Sequence, residues 1–208
     1  MPQKLNLATW NRKEHFQFFR RFEEPFFGVC VEIDCTQAYR RAKELDTSFF
    51  LYYLHKSLVA VNQTEPFHYR IEGDDVIVHE HIGASATINR PDGTFGFSYI
   101  AYAEDFREFE QLAQAEIQRI RNTTGLEPAT SSEGVIHYSS LPWIKFTSVS
   151  HARSFSHVDS IPKISFGKMT TVNDKQMMPV SVHVHHALMD GFHVSRHLEL
   201  FQELLNQS

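Results

Sequence analysis

The strictest alternation of apolar and polar positions lies near the C-terminus. There Val180, Val182 and Val184 interleave with Ser181, His183 and His185. A period of two predicts a strand, with the valines on one face and the histidines on the other. His186 continues the valine face, a loop over Ala187–Met189 follows, and Asp190 is placed to cap a closing helix. On that helix Val194, Leu198, Phe201 and Leu205 recur at spacings of 4, 3 and 4, one apolar stripe. Upstream, "FFGVCVEID" predicts a strand, and "FHYRIEGDDVIVHEH" a hairpin turning near Glu72–Asp75. "IGASATINRPDGTFGFSYIAY" predicts two further strands around the Pro91–Gly93 turn.

Helical spacing appears elsewhere. "WNRKEHFQFFRRF" predicts a helix with Asn11 as N-cap and Phe16, Phe19 and Phe22 on its apolar side. "CTQAYRRAKE" is a short helix. "TSFFLYYLHKSLVAVNQ" is a longer one, apolar over most of its circumference and therefore deeply buried. "EDFREFEQLAQAEIQRIRN" puts Phe106, Phe109, Ala113, Ile117 and Ile120 on one side. After the polar connection "TTGLEPATSSEG" come three strands and the closing helix. The expected architecture is α/β in the α+β sense. It is a two-layer sandwich, an antiparallel or mixed sheet with helices on one side, in a single domain over residues 1–208.

Composition narrows the function. A chain of 208 residues suits one domain with a full core, and 42% hydrophobic with 22% charged residues is that of a soluble globular protein. The net charge of −5 and the absence of a basic block weigh against nucleic acid or an anionic membrane as partner. The opening "MPQKLNLATW" has no apolar run for a signal peptide, and no stretch approaches the ~18–20 apolar residues of a membrane span. A cytoplasmic location is expected, with Cys30 and Cys35 as reduced thiols. Eighteen phenylalanines suggest aromatic packing and an aromatic-lined pocket.

Three chemistries compete for the histidines: metal binding, proton transfer and a plain structural role. His183 and His185 could hold a metal together, but His186 points away, and no Cys-x-x-Cys or His-Glu-x-x-His supplies further ligands. No metal site is expected.

The string "HHALMDG" (residues 185–191) fits the pattern His-His-x-x-x-Asp-Gly of chloramphenicol acetyltransferases and peptide-synthetase condensation domains. The acyltransferase subunits of 2-oxo-acid dehydrogenase complexes carry a close relative. "LPWIKFTS" (141–148) resembles the Pro-Trp-x-x-Phe-x-Ser stretch of the first family, and "WNRKEHF" (10–16) its Trp-x-Arg-(Arg/Lys)-Glu-His-Phe opening. The matches run in family order along essentially the whole chain. The chain therefore resembles the chloramphenicol acetyltransferases.

The resemblance implies a homotrimer of α/β subunits with active sites at the subunit interfaces, acetyl-CoA as co-substrate and a small-molecule hydroxyl acceptor, chloramphenicol. It implies that His186 is the general base. Moving an acetyl group from a thioester to an alcohol requires deprotonating the hydroxyl, a task suited to imidazole with a pKa near ~6.5. The oxyanion falls to the hydroxyl of Ser148, on an expected strand where Ile144, Phe146 and Ser148 share a face. Asp190 pairs with Arg12 and organises the site without taking the proton. Ser165 stands where the family uses a threonine to hold a water, and Lys168 matches a lysine near the coenzyme A site. Phe27 and Phe95 occupy acceptor-pocket positions. Phe19 replaces a tyrosine that touches the drug, and Met189 replaces a cysteine. Another hydroxyl acceptor on the same fold stays open, as does a histidine-rich binding protein without catalysis.

Overall fold

In this computed structural model, which describes residues 2–126, 134–154 and 159–207, helices and strands are intermixed along the chain. In order they are β1 (Gln3–Lys4), α1 (Lys13–Phe19), β2 (Phe26–Asp34), α2 (Thr36–Glu44), α3 (Phe49–Asn62), β3 (Tyr69–Glu72), β4 (Asp75–Val78), β5 (Gly83–Asn89) and β6 (Phe95–Phe97). There follow α4 (Phe106–Arg121), β7 (Val135–Ser140), β8 (Lys163–Phe166), β9 (Thr170–Val172), β10 (Lys175–His185) and α5 (Gly191–Asn206).

The main sheet has the order β2-β10-β8-β7-β5-β6, with β9 pairing β10. It is mixed: β5–β7 and β7–β8 are parallel, and the remaining pairs are antiparallel. The valine face of β10 packs with β2 residues Val29 and Val31 against α2, α3 and α5 to form the principal core. α3 is its centre, with Leu54, Leu58, Ala60 and Val61 fully buried. Leu198 packs partly buried on the principal core, while Val194, Phe201 and Leu205 of α5 are sealed in it. The other face of the sheet, carrying Ser181 and His183, has no helix over it among the described residues; His151 of the long loop packs on His183 there.

A second, smaller core holds Phe16 of α1, Tyr69, Ile71 and Val76 of the hairpin, and Ala187 with Leu188. The hairpin is joined by β1, which pairs with β4 as a third strand that two residues of sequence do not announce.

Four expectations need correction. Four strands rather than three follow α4, because β9 and β10 close a tight hairpin at Asn173 and Asp174, both in the left-handed region. Residues 141–150 form no strand, although Ile144, Phe146 and Ser148 alternate. The loop instead lies across β2, held by Lys145 to Glu32 at 2.9 Å. The N-cap of α1 is Arg12, not Asn11. Phe22 lies beyond α1 and is 44% exposed rather than on a buried side.

Candidate active site

The turn after β10 is pinned between the two cores. Ala187 and Leu188 plug the small core while Met189 is sealed in the principal one, so the backbone between has little freedom. The His186 N–H donates to the Pro25 carbonyl (2.8 Å), and His185 Nδ1 accepts from the Ala187 N–H (3.2 Å). The His186 ring stacks on Phe19, with centroids 4.0 Å and planes 12° apart, and leans on Phe27 at 4.7 Å. Its Nδ1 is buried with no hydrogen-bond partner. Nε2 makes no hydrogen bond among the described residues. The imidazole is thus positioned by apolar surfaces.

Arg12 and Asp190 do meet. Arg12 Nη1 donates to Asp190 Oδ2 (2.5 Å), and Nη2 donates to the His186 carbonyl (3.3 Å). One buried guanidinium therefore ties the cap of α5 to the backbone of the candidate base. Asp190 Oδ1 caps α5 by accepting from the Phe192 N–H (3.1 Å), and His193 Nδ1 lies 2.8 Å from the same oxygen. Partial burial works to raise the Asp190 carboxyl. The hydrogen bond from Arg12 and the charges of His193 and Arg12 outweigh it and hold the group below the usual carboxylate range. This fits a carboxylate that stays ionised and positions others.

The helix-free face of the sheet is polar. Gly28, His183, Lys163, His137 and Ser85 stand in register across β2, β10, β8, β7 and β5. A Cβ on Gly28 would lie 2.3 Å from the His183 ring, so the imidazole lies over a glycine that leaves it room. Ser181, Ser165 and Ser139 form a second row across β10, β8 and β7. The Ser165 hydroxyl is fully buried without a partner, which suits the water-holding role expected at that position. The His183–His151 edge contact (4.8 Å) anchors the loop that carries Ser148. Ser148 itself is exposed and makes no hydrogen bond with His186.

A cavity of about 540 Å³ opens on this face, lined among others by Ser139, His137, His151, Lys163, Arg153 and Phe97. A second cleft of about 340 Å³ includes Phe49, Phe50, Tyr53, Met169, Met178 and Arg121. Lys168 is exposed between Gly167 and Met169, two residues of that cleft. Thr87 lines both spaces, and the consecutive residues Ser139 and Ser140 of β7 line one each.

The expected residues fall into separate groups. His186, Phe19, Phe27, Arg12 and Asp190 converge at the β2 edge. Phe95, exposed, meets Phe97 at 5.5 Å on β6, the opposite edge. Five strand spacings separate the edges, ~24 Å. Met189 belongs to the principal core and offers no surface to an acceptor. The reading of the sequence missed Ser139, His137, His151 and Lys163. Alternation in "VIHYSS" puts His137 and Ser139 on one face, a signal that was present; the pairing of β7 with β8, which adds Lys163, was not.

Comparison with known proteins follows this geometry. A family model described as chloramphenicol acetyltransferase matches residues 2–202. Chloramphenicol acetyltransferase 3 of Escherichia coli is 31% identical over 209 residues, covering 98% of this chain and 96% of that protein. A chloramphenicol acetyltransferase of Proteus mirabilis is 26% identical, covering 98% and 94%. A solved chloramphenicol acetyltransferase structure superposes with a TM-score of 0.90 at 30% identity, covering 99% of this chain and all of that one. A truncated catalytic core of the 2-oxoacid dehydrogenase multienzyme complex from Thermoplasma acidophilum, at 15% identity and a TM-score of 0.68, shares the fold. The pinned histidine turn, the Arg12–Asp190 pair and a sequence match from one end of the chain to the other identify an acyltransferase that belongs to the chloramphenicol acetyltransferase family.

Proposed function

We propose that this chain transfers an acetyl group from acetyl-CoA to a hydroxyl of a small acceptor, chloramphenicol being the acceptor the family resemblance names. The observation that carries the reading is the meeting of the two spaces at Thr87. The cleft has the apolar walls that suit a pantetheine arm, with Arg121 and Lys168 for phosphate charge. The cavity suits the acceptor, and a thioester and an alcohol entering from the two would meet at the end of β7.

In the proposed step His186 Nε2 takes the hydroxyl proton as the alcohol oxygen attacks the thioester carbonyl. A C–O bond forms, the tetrahedral oxyanion collapses, the C–S bond breaks, and the proton passes to the departing coenzyme A sulfur. The donor to the oxyanion is a serine hydroxyl. The sequence reading names Ser148. The register of β7 favours Ser139, which lines the acceptor cavity beside the unpartnered Ser165 hydroxyl, whereas Ser148 lies on an exposed loop.

His186 and Ser139 cannot act together within one chain. His186 lies five residues beyond Ser181 along β10, on the helix side, and Ser139 is two strands across, which puts them ~19 Å apart. A second copy must bring its histidine to this chain's cavity. That requirement supports the homotrimer with interfacial sites. The test is coenzyme A release from acetyl-CoA with and without chloramphenicol, at protein concentrations above and below subunit dissociation. Transfer that persists in monomers overturns the shared site, and no release with any alcohol overturns the transfer.

A further inference from the structure

We propose that the acceptor of this acyltransferase is an alcohol that also carries an anionic group, a carboxylate or a phosphate, seated in the cavity on the helix-free face of the sheet. The inference rests on the acetyl-transfer reading above and departs from the neutral chloramphenicol that the resemblance names, taking the other hydroxyl acceptor that the sequence left open.

The polar part of the cavity wall is built from cations and proton donors. Lys163 comes from the middle of the sheet and is 5% exposed. Its ammonium donates to Asp159 Oδ2 (2.6 Å) and to the Ile161 carbonyl (3.0 Å) and lies over the Phe26 ring at 4.5 Å. Two of its three N–H donors are thus committed to oxygens, and the third has only the Phe26 ring, a weaker partner than an anionic oxygen. Arg153 also lines the cavity, with its guanidinium 4.2 Å from the centroid of the same ring, Phe26, and tied to Glu24. Asp159 is the single carboxylate among the lining residues. His137, His151, Ser85, Ser139 and Ser154 supply further polar groups, and His151 Nε2 is buried without a hydrogen-bond partner.

The histidines beside Lys163 are held neutral. Desolvation, then the charge of Lys163, lowers His137 against the opposing pull of Asp159, although its ring is open to solvent. Burial, then His183, Lys163 and Arg153, pushes His151 down to about 4. Loss of solvent is the larger cause in both, and the neighbouring cations add to it. An entering anion offsets the cationic part. It accepts from the third Lys163 donor and allows the imidazoles to take up protons and donate as well.

A neutral aryl acceptor does neither and leaves those donors without partners. Here Phe97, Ala152 and the side-chain stems provide apolar contact for the body of an acceptor, and the cations provide for its charged end.

The test uses three alcohols that share one reacting group: benzyl alcohol, 4-(hydroxymethyl)benzoate and 4-(hydroxymethyl)phenyl phosphate. Coenzyme A release by the full chain is measured with each. The expected result is a kcat/KM at least tenfold higher for one anionic member than for benzyl alcohol, and the two arms tell carboxylate from phosphate. Arg153→Gln and Lys163→Gln should each lower the anion-to-neutral ratio about tenfold, and Lys163→Arg should restore most of it. Loss of Lys163 strands a buried Asp159, so Arg153→Gln carries the test if Lys163→Gln fails to fold. Preference for benzyl alcohol, or a ratio unmoved by Arg153→Gln, overturns the proposal while leaving acyl transfer intact. If no alcohol is acetylated, calorimetric titration with 4-(hydroxymethyl)benzoate decides. Binding weakened by Arg153→Gln upholds the anion site and overturns the transfer reading, and absence of binding overturns the anion site.

Discussion

The turn that holds His186 and the helix-free face that holds Lys163 are both polar islands on one sheet, built by opposite means. His186 is gripped by rings and backbone: Phe19 stacks on it, Phe27 leans on it, and Pro25 and Arg12 fix its main chain. Lys163 and its neighbours are held by charge and hydrogen bonds, with Asp159, Arg153 and four depressed or crowded histidines. A proton-transfer group works best with its nitrogen uncommitted, and apolar contacts position a ring without occupying it. A recognition surface needs its donors aimed outward, and mutual charge provides that. The contrast separates chemistry from choice of acceptor, and each part can be broken alone.

The largest effect belongs to the proposed base, His186. His186→Ala should lower acetyl transfer by roughly 10²–10⁴-fold, the range of a general base. Circular dichroism and oligomer size should stay as in the parent, because the turn is anchored by Ala187, Leu188 and Met189 rather than by the imidazole. A variant that retains a tenth of parental turnover removes His186 from the mechanism.

Next comes the oxyanion. Ser139→Ala should cost about 10²–10³ in kcat with little change in either KM, since the hydroxyl acts on charge that develops only in the transition state. Ser148→Ala should change kcat less than about threefold, as expected of an exposed loop hydroxyl with no developing charge to meet. If the two results are exchanged, the original sequence reading of Ser148 stands and the argument from the β7 register is wrong.

The helix-free face should show itself in pH dependence. His151 and His185 are pushed down to about 4, in each case first by burial. With unfolded histidines at ~6.5, the unfolded chain binds more protons than the folded one between these values, so stability rises with pH across that window. Their contribution is fully present above pH ~6.5 and is lost as pH falls toward ~4. Thermal midpoints at pH 7.5, 6 and 5 should therefore decline in that order. His185→Gln should flatten the slope, and a slope unchanged by that variant would assign the acid sensitivity elsewhere.

Much of this contrast was legible in the sequence, unevenly. Local alternation delivered β2, β10 and the hairpin, and helical spacing delivered α4 and α5, because those elements bury a face against one core. The His186, Arg12 and Asp190 set was legible because its motif is contiguous or capped by a helix end. The loop over residues 141–150 was misread because Ile144 and Phe146 alternate as a strand would. Phe146 is buried while Ile144 and Trp143 remain exposed, a pattern set by packing on Gly167 rather than by a ladder. The cationic face was illegible for a different reason. Lys163, His137 and His183 become neighbours only through pairing between strands far apart in sequence, which no local period records.

The smallest effect sharpens the ring-held half of the comparison. Phe19 stacks almost flat on His186, and an aromatic pair is worth about 0.5–1.5 kcal/mol beyond its buried area. Phe19→Leu keeps apolar volume and loses the flat partner, so the imidazole gains rotational freedom in the ground state. The cost should appear as a twofold to tenfold fall in kcat, the kinetic equivalent of that range, with the KM for acetyl-CoA unchanged. Phe19→Tyr keeps the stack and adds a hydroxyl, so its kcat should stay within about twofold of the parent and any change should fall on the KM for the acceptor, through one hydrogen bond of about 0.5–1.5 kcal/mol. The pair of variants separates the two roles open to this ring. A kcat loss confined to leucine makes Phe19 a positioning residue for His186. A matched loss in both variants makes it a wall of the acceptor site, and the ring-held description of the base then fails.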